Sequence, residues 1–150
     1  MGKWQQLNRE QALAARDFSK AGQTFVDYKG QLNEVLYSIL TPLGYEVLVS
    51  AQALQHAGKH SIPPRYQTEL SHLLNNPDFI FPNWEFRTTH LYYKAVENVF
   101  LVIAVHQKDD IHFVATLHKT RTVKGLREKL ISHNDVLYIR GGFKWKKKWR

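Results

Sequence analysis

The chain has 150 residues, 43% hydrophobic and 13% aromatic, with 21 Lys and Arg against 13 Asp and Glu. That length suits one domain with a workable core, the composition excludes a disordered chain, and the absence of Cys excludes disulfide scaffolds, thiolate zinc sites and cysteine nucleophiles. No apolar run approaches the ~18 residues of a membrane span, and MGKWQQLNRE lacks the apolar centre of a secretory signal, so a cytoplasmic protein, or one delivered by another machine, is expected.

The first half reads as helical. Asn8 can cap a segment running to about Lys20, with Gly22 after it. Leu32, Val35, Leu36, Ile39 and Leu40 keep helical spacing, which predicts a second helix over 31–40, closed by Pro42 and Gly44. Residues 45–49 predict a short extended segment. Ser50 caps a further helix, AQALQHAGKH, and Pro63-Pro64 opens another that ends at Asn75-Asn76-Pro77.

The second half changes period. Residues 84–95, 99–106 and 111–118 are rich in aromatic and β-branched side chains, with turns at Glu97-Asn98 and Lys108-Asp109-Asp110. VFLVIAV is apolar on both faces and predicts the central strand. A short helix is expected over 122–132 and a last strand over 136–140, before Gly141-Gly142. The predicted class is α+β, with N-terminal helices packed on a four-stranded antiparallel sheet. Residues 1–43 form a helical extension in this reading, 44–140 the main domain, and 141–150 a tail.

The formal net charge of +8 is unevenly placed. All acidic residues lie at or before Asp135, while Arg140, Lys144, Lys146, Lys147, Lys148 and Arg150 are crowded at the end, so residues 1–135 carry a net of only +2. The tail alternates those cations with Phe143, Trp145 and Trp149. Aromatics among lysines suit base stacking combined with phosphate attraction, and equally an anionic membrane surface or a simple solvated tail.

On the helix begun at Ser50, His56, Lys59 and His60 are spaced i, i+3, i+4 and share a face. Two imidazoles and an ammonium there would titrate together. They suit a phosphodiester: a neutral His takes a proton, a charged one gives it, and Lys stabilises the phosphorane. A solvated helical face is the bland alternative, and His-x3-His is also a metal-ligand pair. The HExxH glutamate is missing, however, and no nearby carboxylate cluster completes a metal site. On the strands, alternation groups His112, Val114, Thr116 and His118 on one face, and Thr88, His90, Tyr92 and Lys94 on another. Lys119 and Thr120 follow at a strand end. Such faces can hold a phosphate and stack a base, or be ordinary solvent faces. There is no Walker loop, GxGxxG or GxSxG, and the scattered acids argue against a two-metal nuclease; no cofactor is expected.

Between about Gly44 and Arg140 the order of segments resembles the phage-associated nucleases of the barnase–EndoU–colicin–RelE fold. The resemblance is carried by YEVLVSAQALQHAGKH, NNPDFIF, RTTHLYYKAVENVFLVIAVHQKDDIHFVATLHKT, and VKGLREKLI followed by VLYIR. It implies a metal-independent endoribonuclease, toxin-like or used in phage–host conflict, that cuts RNA by 2′-hydroxyl attack to leave a cyclic phosphate. It also implies RNA, including tRNA, as partner and an immunity or antitoxin protein, while an exposed helical N-terminus and a basic tail would both suit self-association. His56 and His60 match the helical histidines, Lys59 the basic residue and Thr116 the strand hydroxyl, with Lys94 as a second phosphate stabiliser. Lys119, Thr120, Tyr138 and Arg140 follow in rank for substrate contact, with His118 beside Thr116. Ser61 departs from the proline frequent after the second histidine, and residues 1–43 and 141–150 have no counterpart. The alternatives are a non-catalytic RNA-binding module, or a phage structural or partner-binding protein.

Overall fold

The segment predicted as the second helix is a nine-residue strand. In the computed structural model, which describes residues 14–59, 70–83, 88–96, 99–120 and 136–141, residues 32–40 are extended and Asn33, Val35, Tyr37 and Ile39 are buried. Leu32 and Leu40, which completed the helical pattern, are 62% and 60% exposed. The period is two on either side of a bulge at Leu36, which leaves Asn33 and Val35 on one face and Tyr37 and Ile39 on the other. It is hidden further because Asn33 and Tyr37 carry polar atoms. Both are satisfied. Asn33 bonds Asp27 and Ser50, and the Tyr37 hydroxyl accepts a bond from Ser71.

In chain order the described elements are β1 (Thr24–Val26), β2 (Leu32–Leu40), β3 (Glu46–Ser50), α1 (Ala51–Lys59), α2 (Leu70–Asn75), β4 (Phe79–Pro82), β5 (Thr89–Val96), β6 (Val99–Lys108), β7 (Ile111–Thr120) and β8 (Tyr138–Ile139). The strands form one eight-stranded sheet in the order β1-β2-β3-β7-β6-β5-β4-β8. Each neighbouring pair is antiparallel except β3 and β7, which are parallel and meet at Leu48↔Phe113. This overturns the expected architecture of N-terminal helices on a four-stranded antiparallel sheet. The described protein is mostly β, the sheet is mixed, and its two short helices follow β3 rather than precede the sheet.

The predicted first helix shows the same error in its described part. Helical geometry ends at Ala15, and Asp17 then exchanges two backbone bonds with Ser38, 2.9 and 2.8 Å long. That bridge ties the segment to β2. The sheet thus continues across positions 43 and 44, with β1 and β2 on one side and β3 on the other. The helix predicted over 122–132 lies outside the described residues.

Other expectations agree with the structure. Ser50 closes β3 and its Oγ accepts a 3.1 Å bond from the Ala53 N–H, the bond that starts α1. Phe100 to Val105 are buried throughout and β6 lies inside the sheet, flanked by β7 and β5. Ala53 and Ala57 of α1 and Leu70, Leu73 and Leu74 of α2 pack with Ile39, Val49, Tyr92, Ile103 and Val105 in the main core. A second cluster gathers Phe79, Phe81, Tyr93, Phe100 and Val102, with Phe79 stacked on Tyr93 at 4.8 Å. Each fully buried Phe supplies about 2 kcal/mol of apolar burial. Among the described residues, no helix is long and apolar enough to cross a membrane.

Candidate active site

The site begins with one buried hydroxyl. Ser50, while capping α1, donates a 2.7 Å bond to Asn33 Oδ1 on β2. Asn33 Nδ2 in turn donates to Asp27 Oδ2 at 3.0 Å. Asp27 Oδ1 accepts from the N–H groups of Lys29 and Gln31, which curls residues 27–31 into a tight loop between β1 and β2. Gly30 sits at φ +79, the left-handed geometry that the loop needs there. These bonds fix the loop relative to the start of α1.

The same loop is sewn to the far end of β6. Tyr28 donates its hydroxyl to the Gln107 carbonyl, and its ring meets the His106 ring edge-to-face at 5.4 Å. Lys108 Nζ donates to the Val26 and Asp27 carbonyls at 3.0 and 3.2 Å. His106 also meets the Phe113 ring at 5.7 Å and 82°, so two aromatic rings hold its plane.

A bulge in β7 supplies the remaining wall. Ala104 pairs with Thr116 but Val105 pairs with Val114, so Ala115 is an extra residue. Strict alternation, which the sequence reading assumed, is broken at that point. Val114 and Leu117 now share the main core, while Phe113 and Thr116 lie across the ladder from His106 and Ala104, on one face. His112 is consequently on the other face from Thr116. Thr116 and His118, two apart beyond the bulge, stay together as expected.

These elements enclose a cleft of about 160 Å³, lined by Asp27, Tyr28, Lys29 and Gln31 of the loop, Asn33 of β2, Gln52, Ala53 and His56 of α1, His106 of β6, and Phe113 to Thr116 of β7. Burial lowers the proton affinity of His106, and Asp27 partly restores it. Asp27 is itself raised by burial but lowered more by the bonds from Gln31, Asn33 and Lys29, so its carboxyl stays below the ordinary range. The cleft therefore holds a fixed anion, a half-buried imidazole favoured in its neutral form, a second imidazole, a cation and a hydroxyl. That is a set able to move protons around a bound oxyanion.

Of the predicted catalytic residues, His56 and Thr116 are brought together in this cleft. Lys59 is the last residue of α1, but its side chain, like His60, is outside the described residues. His118 and Lys119 are exposed and Thr120 half-buried, all farther along β7. Lys94 is buried, with Nζ 3.0 Å from the Asn76 carbonyl and 3.7 Å from Asp78 Oδ1. Arg140 Nε donates to the same Asp78 oxygen at 2.8 Å. Both cations are thus engaged with one buried carboxylate, away from the cleft. Tyr138 pairs with Ile80 and packs on the main core. The tail residues Lys144, Lys146, Lys147, Lys148 and Arg150 lie outside the described residues.

Sequence reasoning missed His106, Asp27, Tyr28 and Lys29. His106 had a usable signal: a two-residue Asp109-Asp110 turn sets it opposite Phe113 in the β6–β7 hairpin. Asp27-Tyr28-Lys29-Gly30 is a turn pattern that the helical reading of 31–40 obscured. A second polar cluster was also missed. Tyr45 hydroxyl lies 2.7 Å from His90 Nδ1 and accepts from the Tyr92 hydroxyl at 2.7 Å, with the His112 ring stacked on Tyr45 at 3.7 Å. Burial raises both tyrosines and lowers both histidines. Among the described residues, no group of three or more His, Asp or Glu is arranged to hold a metal ion. Comparison with protein-family models, with curated proteins and with solved structures gives no match for this chain.

Proposed function

We propose that the protein is an endoribonuclease that cleaves RNA without a metal ion, by attack of the 2′-hydroxyl on the adjacent phosphorus to leave a 2′,3′-cyclic phosphate. One observation carries the reading: His56 of α1 and Thr116 of β7, 60 positions apart in sequence, line a single cleft. In this mechanism His56 exchanges a proton with the reacting oxygens and the Thr116 hydroxyl donates to a non-bridging phosphate oxygen. Lys29 at the cleft supplies the cation that offsets charge on the phosphorane. Lys94, given over to Asp78, has no part in it. The basic aromatic tail of residues 143–150 recruits the polyanion, and the reading goes with a cytoplasmic site of action, where RNA is the available substrate.

The test is incubation of the purified protein with tRNA and total RNA in EDTA, with the ends of the fragments mapped. Cyclic phosphate ends that form in EDTA and are lost in His56→Ala support the reading. Intact RNA with tight, salt-sensitive binding would instead favour a binding module, and neither cleavage nor binding would remove RNA as the partner.

A further inference from the structure

We infer that His106 is the general base of the cleft, taking the 2′-hydroxyl proton while His56 gives a proton to the departing 5′-oxygen. The inference rests on the ribonuclease reading and assigns within it a residue outside the sequence motif. The two imidazoles come from elements on different walls of one cleft, α1 and β6. The cleft's volume of about 160 Å³ is roughly that of five water molecules. A phosphoryl group fits that space with a ribose edge, leaving the imidazoles to address the entering and leaving oxygens.

His106 is held as a base must be. Phe113 and Tyr28 pack edge-to-face on its ring, and Tyr28 is itself anchored through the Gln107 carbonyl. The fixed ring needs little reorganisation when the proton moves. Burial favours the neutral ring at rest, and the Asp27 carboxylate stabilises the imidazolium formed after transfer. Among the described residues, the charged and titratable groups around the cleft are Asp27, Tyr28 and Lys29 on the loop, Lys108 on β6 and His56 on α1. Lys108 is turned to the Val26 and Asp27 carbonyls. In the step itself, the 2′-oxygen loses its proton to His106 and bonds to phosphorus. The bond from phosphorus to the 5′-oxygen breaks, and that oxygen takes the proton of His56. Hydrogen and charge balance, with no oxidant or further reactant.

Two substrates separate the roles. Uridylyl-adenosine needs an acid for its leaving group, whereas the p-nitrophenyl ester of uridine 3′-phosphate does not. His106→Gln is expected to slow both by at least about 100-fold, the usual contribution of a positioned base. His56→Ala should slow the dinucleotide by a similar factor and the nitrophenyl ester by less than about 10-fold. His106→Gln should also lose the acidic limb of the pH–rate profile, while thermal melting verifies its folding. As a check that needs no variant, the ring signals of all histidines in the wild-type protein are followed by NMR during addition of uridine 3′-phosphate. Those of His106 and His56 should both move. Wild-type protein that cleaves neither these substrates nor tRNA or total RNA in EDTA overturns the ribonuclease reading itself. If the wild type cleaves and His56→Ala is slow, then a folded His106→Gln within about threefold of wild type overturns this inference alone. An unmoved His106 signal with a moving His56 signal does the same.

Discussion

Phe113 and Thr116 stand three residues apart on one strand and yet share a face, because Ala115 is the extra residue of a bulge. The two make different contributions from the same wall of the cleft. Phe113 is 2% exposed and packs with Val35 and Leu48, so Phe113→Ala should cost about 3–5 kcal/mol in urea unfolding. Thr116 is half-buried, and Thr116→Val keeps its shape while removing the hydroxyl. Its stability should stay within about 0.5 kcal/mol of wild type. Its RNA cleavage in EDTA should fall by about tenfold, the loss of one ~1.4 kcal/mol hydrogen bond to the phosphate. Thr116→Val that cleaves at the wild-type rate would remove Thr116 from the phosphate site.

Ser50 is the second test, this time of construction. Its hydroxyl caps α1 and donates to Asn33, both in buried surroundings. Ser50→Ala loses a cap worth about 1 kcal/mol and strands Asn33 Oδ1 for about 1–3 kcal/mol more. A total near 2–4 kcal/mol is expected from chemical denaturation. Because Asn33 also holds Asp27, the loop of residues 27–31 should loosen, seen as faster amide exchange at Lys29 and Gln31. A loss below about 0.5 kcal/mol would show that the chain of bonds from Asp27 to α1 is not a stabilising unit.

These two sites show what the sequence makes legible. Ser50 before an apolar-periodic segment is a local signal, and it locates the start of α1 and with it His56. The apolar run of β6 announces an interior strand without any knowledge of its neighbours. β2 is different. Its buried Asn33 and Tyr37 are stabilised by partners at positions 27, 50 and 71, and such long-range compensation is invisible to periodicity. The bulge at Ala115 is likewise set by pairing with β6, so alternation along β7 alone puts Thr116 on the wrong side of Phe113. Residue type and helical spacing make His56 a candidate and the resemblance adds Thr116, and the structure lines one cleft with both. The loop wall of the cleft was lost together with β2.

Acid should destabilise the protein through its buried histidines. Burial, reinforced by Lys94 and opposed by Asp78, pushes the His72 imidazole down to about 4. In the unfolded chain a histidine titrates near 6.5. Between those values the unfolded state binds more protons, so stability rises with pH. The contribution is fully present above about pH 6.5 and is lost as pH falls toward 4, on the order of 3 kcal/mol for this one group. His90, His106 and His112 are shifted in the same direction and add to the slope. Urea unfolding at pH 7 and pH 4.5 measures the loss, and His72→Asn should flatten it. An equal slope in the variant would place the acid sensitivity elsewhere.

Asp78 provides the sharpest contrast between fold and site. Its carboxylate, 3% exposed, accepts from Arg140 Nε at 2.8 Å and from the Ala95 N–H at 2.7 Å, with Lys94 Nζ at 3.7 Å. Lys94 is 5% exposed, so Asp78→Asn leaves an ammonium buried without its counter-charge. Breaking such a pair costs about 3–5 kcal/mol. Burial already lowers the Lys94 proton affinity and Asp78 is what opposes this, so in Asp78→Asn the lysine should titrate lower still. Lys94→Met removes the buried charge while Arg140 still pairs with Asp78, and should cost clearly less. Arg140 is more exposed, and Arg140→Gln should cost about 1–2 kcal/mol through the lost bond that joins β8 to β4. None of these three groups lines the cleft. Folded Arg140→Gln should therefore cleave RNA at close to the wild-type rate, and a loss above about tenfold would instead place Arg140 in contact with substrate.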